Sequence, residues 1–248
     1  MRLPEAWFVT RTMRALEVLA FQPRSAPQVA EVLQVHPRTA RRLLNRLLEE
    51  GYVTRTEDAK RLYSPTLRIV ALAGQVVERC ELSLAAAPVV ARLREHTGRT
   101  THLMVPSYRS ALCLVHSAGG DDGAARPHLR ELVPCHCTAA GKALMGERAP
   151  WRESVLDLPL ERHTARTITD PDALRAEVEA AARRGYATEL GEYQAGVTAL
   201  AAPVFSPAGE AVAALGATGS GDELPDDLAG QVVEHARELT AALEAGRG

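Results

Sequence analysis

Residues 37–51, PRTARRLLNRLLEEG, constrain this chain more than any other stretch. Pro37 suits the first turn of a helix, where no backbone N–H is needed, and Gly51 supplies the left-handed residue that closes one. Between them Leu43, Leu44, Leu47 and Leu48 recur at helical spacing and predict a buried stripe. The other side carries Arg38, Thr39, Arg41, Arg42, Asn45 and Arg46, with no acid before Glu49. A helix face that is only solvated usually mixes acids with bases. An arginine and asparagine face has the chemistry to meet a polyanion: arginine forks onto phosphate or guanine, and asparagine pairs with adenine.

The flanking residues supply the rest of a module. Residues 11–22 place Met13, Leu16, Leu19 and Ala20 on one helical face, and Pro23-Arg24 ends that helix. Ser25 is a good N-cap, with Pro27 tolerated in the first turn, for a second helix through Gln34 with Val29, Ala30 and Leu33 inward. After Gly51 the runs YVTRT and RLYSP flank the polar EDAK and predict a hairpin bearing Arg55, Lys60 and Arg61. Three helices followed by a basic hairpin make a winged helix-turn-helix over residues 1–65. In that arrangement the third helix enters a major groove and the hairpin lies over phosphates. Charge agrees: residues 1–65 hold eleven Lys and Arg against seven Asp and Glu, a net +4, whereas the whole chain is −2. A basic head on an acidic body fits a polyanion-binding module fused to something else.

Residues 66–81 continue as a linker helix whose Val70, Ala73, Val76 and Val77 suit domain linking or protomer pairing. Residues 82–248 then form a second domain. It opens with a helix in which Pro88 is expected near the start. TTHLMVP and ALCLVHS read as strands turning at Pro106-Ser107, GGDDG as a flexible loop, and HLRELVP as a further strand. TAAGKALMGE reads as a short helix begun by Thr138, and DPDALRAEVEAAARRG as a helix capped by Asp170 and stopped by Gly185. GYATEL, VTALAAPVF and EAVAALGAT are three more strands, the last two joined at SPAG, and a final helix runs from about Pro225 to Ala245. The expected fold class is α+β, with helices packed on a mainly antiparallel sheet.

Aromatic residues are only 4% of the 248, so aliphatic side chains and alanine must build the cores. No apolar run approaches a membrane span, and the N-terminus lacks a cleavable signal pattern. Cys80, Cys113, Cys135 and Cys137 do not make a disulfide framework, so a reducing cytoplasm is the expected compartment. The chain has no Gly-x-Ser-x-Gly elbow, P-loop or dinucleotide fingerprint, so no enzyme activity and no cofactor are expected. Cys135-His136-Cys137, with His102 and His116 elsewhere, raises a metal-responsive alternative, although Cys-x-Cys is not the usual Cys-x₂₋₄-Cys spacing.

Two segments of the second domain, with the winged helix, resemble the IclR family of bacterial regulators. One is Pro134-Cys135-His136-Cys137-Thr138-Ala139-Ala140-Gly141-Lys142-Ala143-Leu144, similar to that family's Pro-x-His-x-Thr-Ala-x-Gly-Lys-Ala stretch. The other is Gly196-Val197, then Ala201-Ala202-Pro203-Val204-Phe205, Gly209 and Val212-Ala213-Ala214-Leu215. The resemblance implies a GAF-like second domain enclosing an effector pocket, with Ala139, Ala140, Glu189, Ala199, Gly216 and Thr218 at matching pocket positions. Gly216 and Thr218 stand where some members carry paired serines, and Ser64-Pro65 follow Tyr63 where Leu-Gly is usual. It further implies a cytoplasmic repressor or activator that binds a palindromic double-stranded operator as a homodimer or homotetramer. A small organic acid or aromatic metabolite would control it, a vestigial pocket being the alternative.

Overall fold

The computed structural model describes residues 5–58, 60–120 and 132–246. Contacts divide the chain into two compact units between Arg79 and Cys80.

In the first unit, α1 (Glu5–Phe21), α2 (Ala26–Leu33) and α3 (Pro37–Glu49) precede a hairpin of β1 (Val53–Arg55) and β2 (Tyr63–Pro65), and α4 (Arg68–Glu78) follows. Gln28 reaches back so that its side-chain oxygen accepts from Ser25 N at 2.9 Å, securing the start of α2. Gln34, at φ 51°, ends α2 in the left-handed region. His36 then caps α3, its Nδ1 accepting from Arg38 N at 3.2 Å, and Gly51 at φ 74° allows the chain to leave. The core is aliphatic: Leu19, Val29, Leu33, Leu43, Leu44 and Leu47, closed by Val53 and Tyr63. Leu48 is only half-buried.

Helix α1 begins earlier than its sequence pattern predicts, and its buried stripe is rotated. Ala15 and Leu19 are buried with Phe8 and Leu16 partly so, whereas Met13 is 57% exposed and Ala20 is exposed. Positions 8, 15 and 19 share a face at 3.6 residues per turn; Met13 lies about 140° round the helix from it, on the side turned to solvent. Helix α4 buries none of its residues, and Val70, Leu72 and Val76 are all exposed.

The second unit is a six-stranded antiparallel sheet in the order β5-β4-β3-β8-β7-β6. Its strands are β3 (Thr100–Ser107), β4 (Ser110–Ser117), β5 (Leu132–Pro134), β6 (Ala187–Leu190), β7 (Val197–Phe205) and β8 (Ala211–Ser220). Helices α5 (Glu81–Thr97) and α9 (Leu228–Ala245) cover one face, where Val90 and Leu93 meet Leu200, Val204, Leu215 and Leu239. Helix α6 (Ala139–Glu147) covers the other, with α7 (Ala149–Leu156) and α8 (Pro171–Arg184) also packed on that side. Alanines allow the close approach. A Cβ on Gly141 would lie 2.3 Å from the Cys135 backbone, so α6 can sit this close to its own lead-in strand only with glycine there.

Two expectations are corrected. Pro88 lies well inside α5; it is exposed, so the carbonyl that loses its helical donor can be hydrated. The β3–β4 turn falls at Tyr108-Arg109, and Pro106 is an in-register strand residue opposite Ala111. Strand β8 pairs with β3 only as far as Met104, so Pro106 interrupts no ladder on that side. Helix α7 had no counterpart in the sequence reading. The loop expected at GGDDG extends into residues 121–131, outside the described residues, as does the first half of the strand expected from His128. Thr138 and Asp170 cap α6 and α8 as expected, with Thr138 Oγ1 accepting from Gly141 N and Asp170 from Ala173 N.

Candidate nucleic-acid interface and buried polar site

Helix α3 presents Arg38, Arg41, Arg42, Asn45 and Arg46 to solvent, while Thr39 is half-buried. The stripe of Leu43, Leu44 and Leu47 turned into the core forces the polar side outward. These residues line an open cleft of about 720 Å3 with His36, Glu49 and Phe8 of α1, and the Arg42 guanidinium sits 5.8 Å from the Phe8 ring centre. Asn45 accepts from the Tyr63 hydroxyl at 3.3 Å, which fixes its amide against the hairpin. Arg46 is the one member drawn to acids: Glu49 lies 3.1 Å away and Glu50 3.6 Å, both exposed and therefore weak partners.

The hairpin carries its cations outward. Arg55, Lys60 and Arg61 are exposed, and Arg55 stands 6.0 Å from the Tyr63 ring centre. Asp58 organises the turn: its carboxylate accepts from Thr56 Oγ1 at 2.7 Å and from the backbone N–H groups of Lys60 and Arg61. Those bonds, the Thr56 hydroxyl first, hold its carboxyl below the usual range, so it stays ionised and the turn stays formed. His36 and Phe8 escaped the sequence reading; a histidine before Pro37 was the available signal.

In the second unit the positions implied by the family resemblance converge. Glu189 pairs across the sheet with Ala199, Ala199 with Thr218, and Thr218 with Thr100. Gly216 lies one step along, between Ala201 and His102. All face α6, whose first turn contributes Ala139 and Ala140, and all are buried. The space at Gly216 is not empty, because His102 Nε2 lies 2.8 Å from where its Cβ would be.

Sequence reading named Glu189 in this layer but missed the charged pair beside it, Lys142 and Glu192. Lys142 of α6, 1% exposed, donates to Glu192 Oε1 at 2.6 Å. A lysine within an otherwise alanine- and leucine-filled helix was the available sign. Glu192 Oε2 has no hydrogen-bond partner among the described residues, nor has His102 Nδ1. Glu189 accepts from Tyr193 N at 3.2 Å. Burial pushes its carboxyl up to about 7, so near neutrality it is part-protonated and can donate as well as accept. Burial, with His116 beside it, brings His102 down to about 4, so it is a neutral imidazole.

The 157–170 segment is stitched to this layer. Thr164 Oγ1 donates to Gly191 O and Thr167 Oγ1 to Glu192 O, each at 2.7 Å. His136 Nε2 is 2.9 Å from Glu161 O, and its ring is 5.7 Å from that of His163. Of the Cys135, His136 and Cys137 set, the structure groups His136 and Cys137 with His163 instead, their donor atoms all within 4.8 Å. Cys135 Sγ donates to Arg109 O. Burial raises both thiols, so neither is a ready nucleophile. Among the described residues no helix is long and apolar enough to cross a membrane.

The family model described as the bacterial transcriptional regulator IclR C-terminal domain matches residues 74–245, and a MarR-family model matches residues 10–61. The HTH-type transcriptional regulator RhmR of Escherichia coli K12 is 28% identical over 242 residues, covering 95% of this chain and 92% of its own. A solved IclR-type regulator from Silicibacter sp. TM1040 superposes with a TM-score of 0.83 at 25% identity, over 96% of this chain and 95% of its own. An IclR homolog from Microbacterium hydrocarbonoxydans, solved with 4-hydroxybenzoate, superposes with a TM-score of 0.78 at 26% identity, over 96% and 99%. A helix-turn-helix unit on one side of Arg79 and an antiparallel effector-type unit on the other, matched along nearly the full length, place this chain in the IclR family of bacterial transcriptional regulators.

Proposed function

We propose that this regulator binds a roughly palindromic operator in the cytoplasm through α3 and the β1–β2 hairpin. A small molecule held in the buried layer between α6 and the sheet would control that binding. The observation that carries the reading is the outward arginine and asparagine face of α3, free of acids until Glu49. Arg38, Thr39, Arg41, Arg42, Asn45 and Arg46 take the groove, and Arg55, Lys60 and Arg61 the phosphates. A homodimer or homotetramer presents two such helices to two half-sites.

Ala139, Ala140, Glu189, Ala199, Gly216 and Thr218 form the effector site, and a small organic or aromatic acid is the ligand class. The solved homolog holding 4-hydroxybenzoate supports an aromatic acid. The chemistry supports it too: the α6 N-terminus carries positive dipole character, and a protonated Glu189 can donate to a carboxylate. The ligand must bind two arrangements of the winged helices with different affinity to act as a switch.

Footprinting of the purified protein on DNA flanking its gene should reveal a two-fold symmetric site, and a thermal-shift screen of organic acids should find a ligand that changes that affinity. A ligand that raises Tm and leaves the footprint untouched would remove the switch; failure to protect any DNA would remove the operator reading.

A further inference from the structure

We propose that His136, Cys137 and His163 form a transition-metal site suited to Zn2+, at the edge of the buried polar layer of the second unit. One donor atom from each lies within 4.8 Å of the other two. Zinc bonds of about 2.0–2.3 Å would put tetrahedral donors roughly 3.5 Å apart. The set therefore has to close by about 1 Å, and His163 is free to supply that movement because its side chain is exposed.

The surrounding hydrogen bonds favour metal ligation. Glu161 O can only accept, so His136 Nε2 donates to it and the ring keeps its lone pair on Nδ1. An imidazole oriented through its far nitrogen by a backbone carbonyl is the usual outer-shell arrangement of a metal ligand. His163 is held from the backbone side, where its N–H donates to Thr167 Oγ1 at 3.0 Å, and its ring rests edge-on against Tyr193. The two histidines come from segments 27 residues apart; the His136 bond to Glu161 O joins those segments, and the Thr164 and Thr167 bonds to the 191–192 backbone hold the second of them in place.

Charge provides a second, separate observation. Glu189 and Glu192 both bear electrostatically on Cys137, and Lys142 is the cation that opposes them. Lys142 is already committed to Glu192 Oε1, which leaves Oε2 of that buried carboxylate with no partner among the described residues. A divalent cation at Cys137 would meet the unpartnered Glu192 oxygen and favour the ionised form of Glu189. Zn2+ displaces the Cys137 proton to solvent and takes the thiolate, and a thiolate with two imidazoles selects zinc over the hard cations calcium and magnesium, which prefer all-oxygen sites. Three protein ligands leave a fourth position open, and His136 and His163 also line a cleft of about 290 Å3 through which a small ligand can reach it.

The test uses the full-length protein with Zn2+ alone, and with Co2+ as a spectroscopic substitute. Native mass spectrometry after dialysis should find one zinc per chain, and Co2+ loading should give a thiolate-to-cobalt charge-transfer band. His163→Ala, an exposed change that leaves the core intact, should weaken zinc binding at least about tenfold. Cys137→Ser should abolish the band, while Cys135→Ser keeps both band and stoichiometry. The site is overturned if the wild type takes up no stoichiometric metal, if His163→Ala binds as tightly, or if Cys135→Ser rather than Cys137→Ser removes the band.

Discussion

His102 of β3 and Gly216 of β8 face each other across the sheet, and the imidazole fills the space that a side chain on Gly216 would take. A methyl group there would lie 2.8 Å from His102 Nε2 and 3.0 Å from Leu200 O. The first contact is with a side chain that can shift, the second with backbone that cannot. Gly216→Ala is therefore expected to cost about 1–3 kcal/mol, as overpacking of a filled core does. Urea denaturation followed by circular dichroism measures it. Adding His102→Ala should recover only part of the loss, because the Leu200 carbonyl remains.

Acid should find His102 as well. Its folded pKa is depressed to about 4 against 6.5 in the unfolded chain, so as pH falls below 6.5 the unfolded state takes up the proton first. Stability contributed by the neutral ring is full above 6.5 and declines progressively to about pH 4, by a total on the order of 3 kcal/mol. His102→Gln should flatten that part of the profile. Matching denaturation midpoints from pH 7.5 to 4.5 in both proteins would refute the account.

Lys142 and Glu192 make a buried ion pair in which one partner cannot be removed alone. Lys142→Met strands the Glu192 carboxylate beside Glu189 and should cost about 3–5 kcal/mol. Lys142→Met combined with Glu192→Gln should regain most of it. Calorimetric Tm values for both single variants and the double variant decide the point; a double variant no better than Lys142→Met would show that packing, not charge, sets the cost.

On α3, Arg42 and Arg46 should differ. Arg42 is exposed and leans on Phe8, whereas Arg46 is drawn to Glu49 and Glu50. Arg42→Ala is expected to weaken operator binding about tenfold or more, the loss of one good base or phosphate contact, and Arg46→Ala less. Fluorescence anisotropy on the footprinted site measures both.

The hairpin cations should act without regard to base sequence. Lys60→Ala and Arg61→Ala should lower affinity for specific and random DNA alike, each reducing the slope of log affinity against log salt by about 1. Sequence-selective losses at either position would place them in a groove instead.

Local signals carried far in this chain. Pro37 and Gly51 bound α3, Thr138 starts α6, and Asp170 and Gly185 bound α8, because caps and left-handed turns depend on a few neighbouring residues. The leucine spacing of residues 43–47 likewise dictated which side of α3 faces water. What the sequence could not disclose rests on pairings between distant segments. The strand order β3-β8-β7-β6 sets Thr100 beside Thr218 and Glu189 in one row, and no local pattern encodes that order. Pro88 persists inside a helix and Met13 lies off the α1 stripe because tertiary packing, not propensity, chose their faces. His163 reaches His136 because His136 itself bonds Glu161 O and two threonine hydroxyls tie the same loop to the 191–192 backbone, contacts between segments that the fold alone brings together.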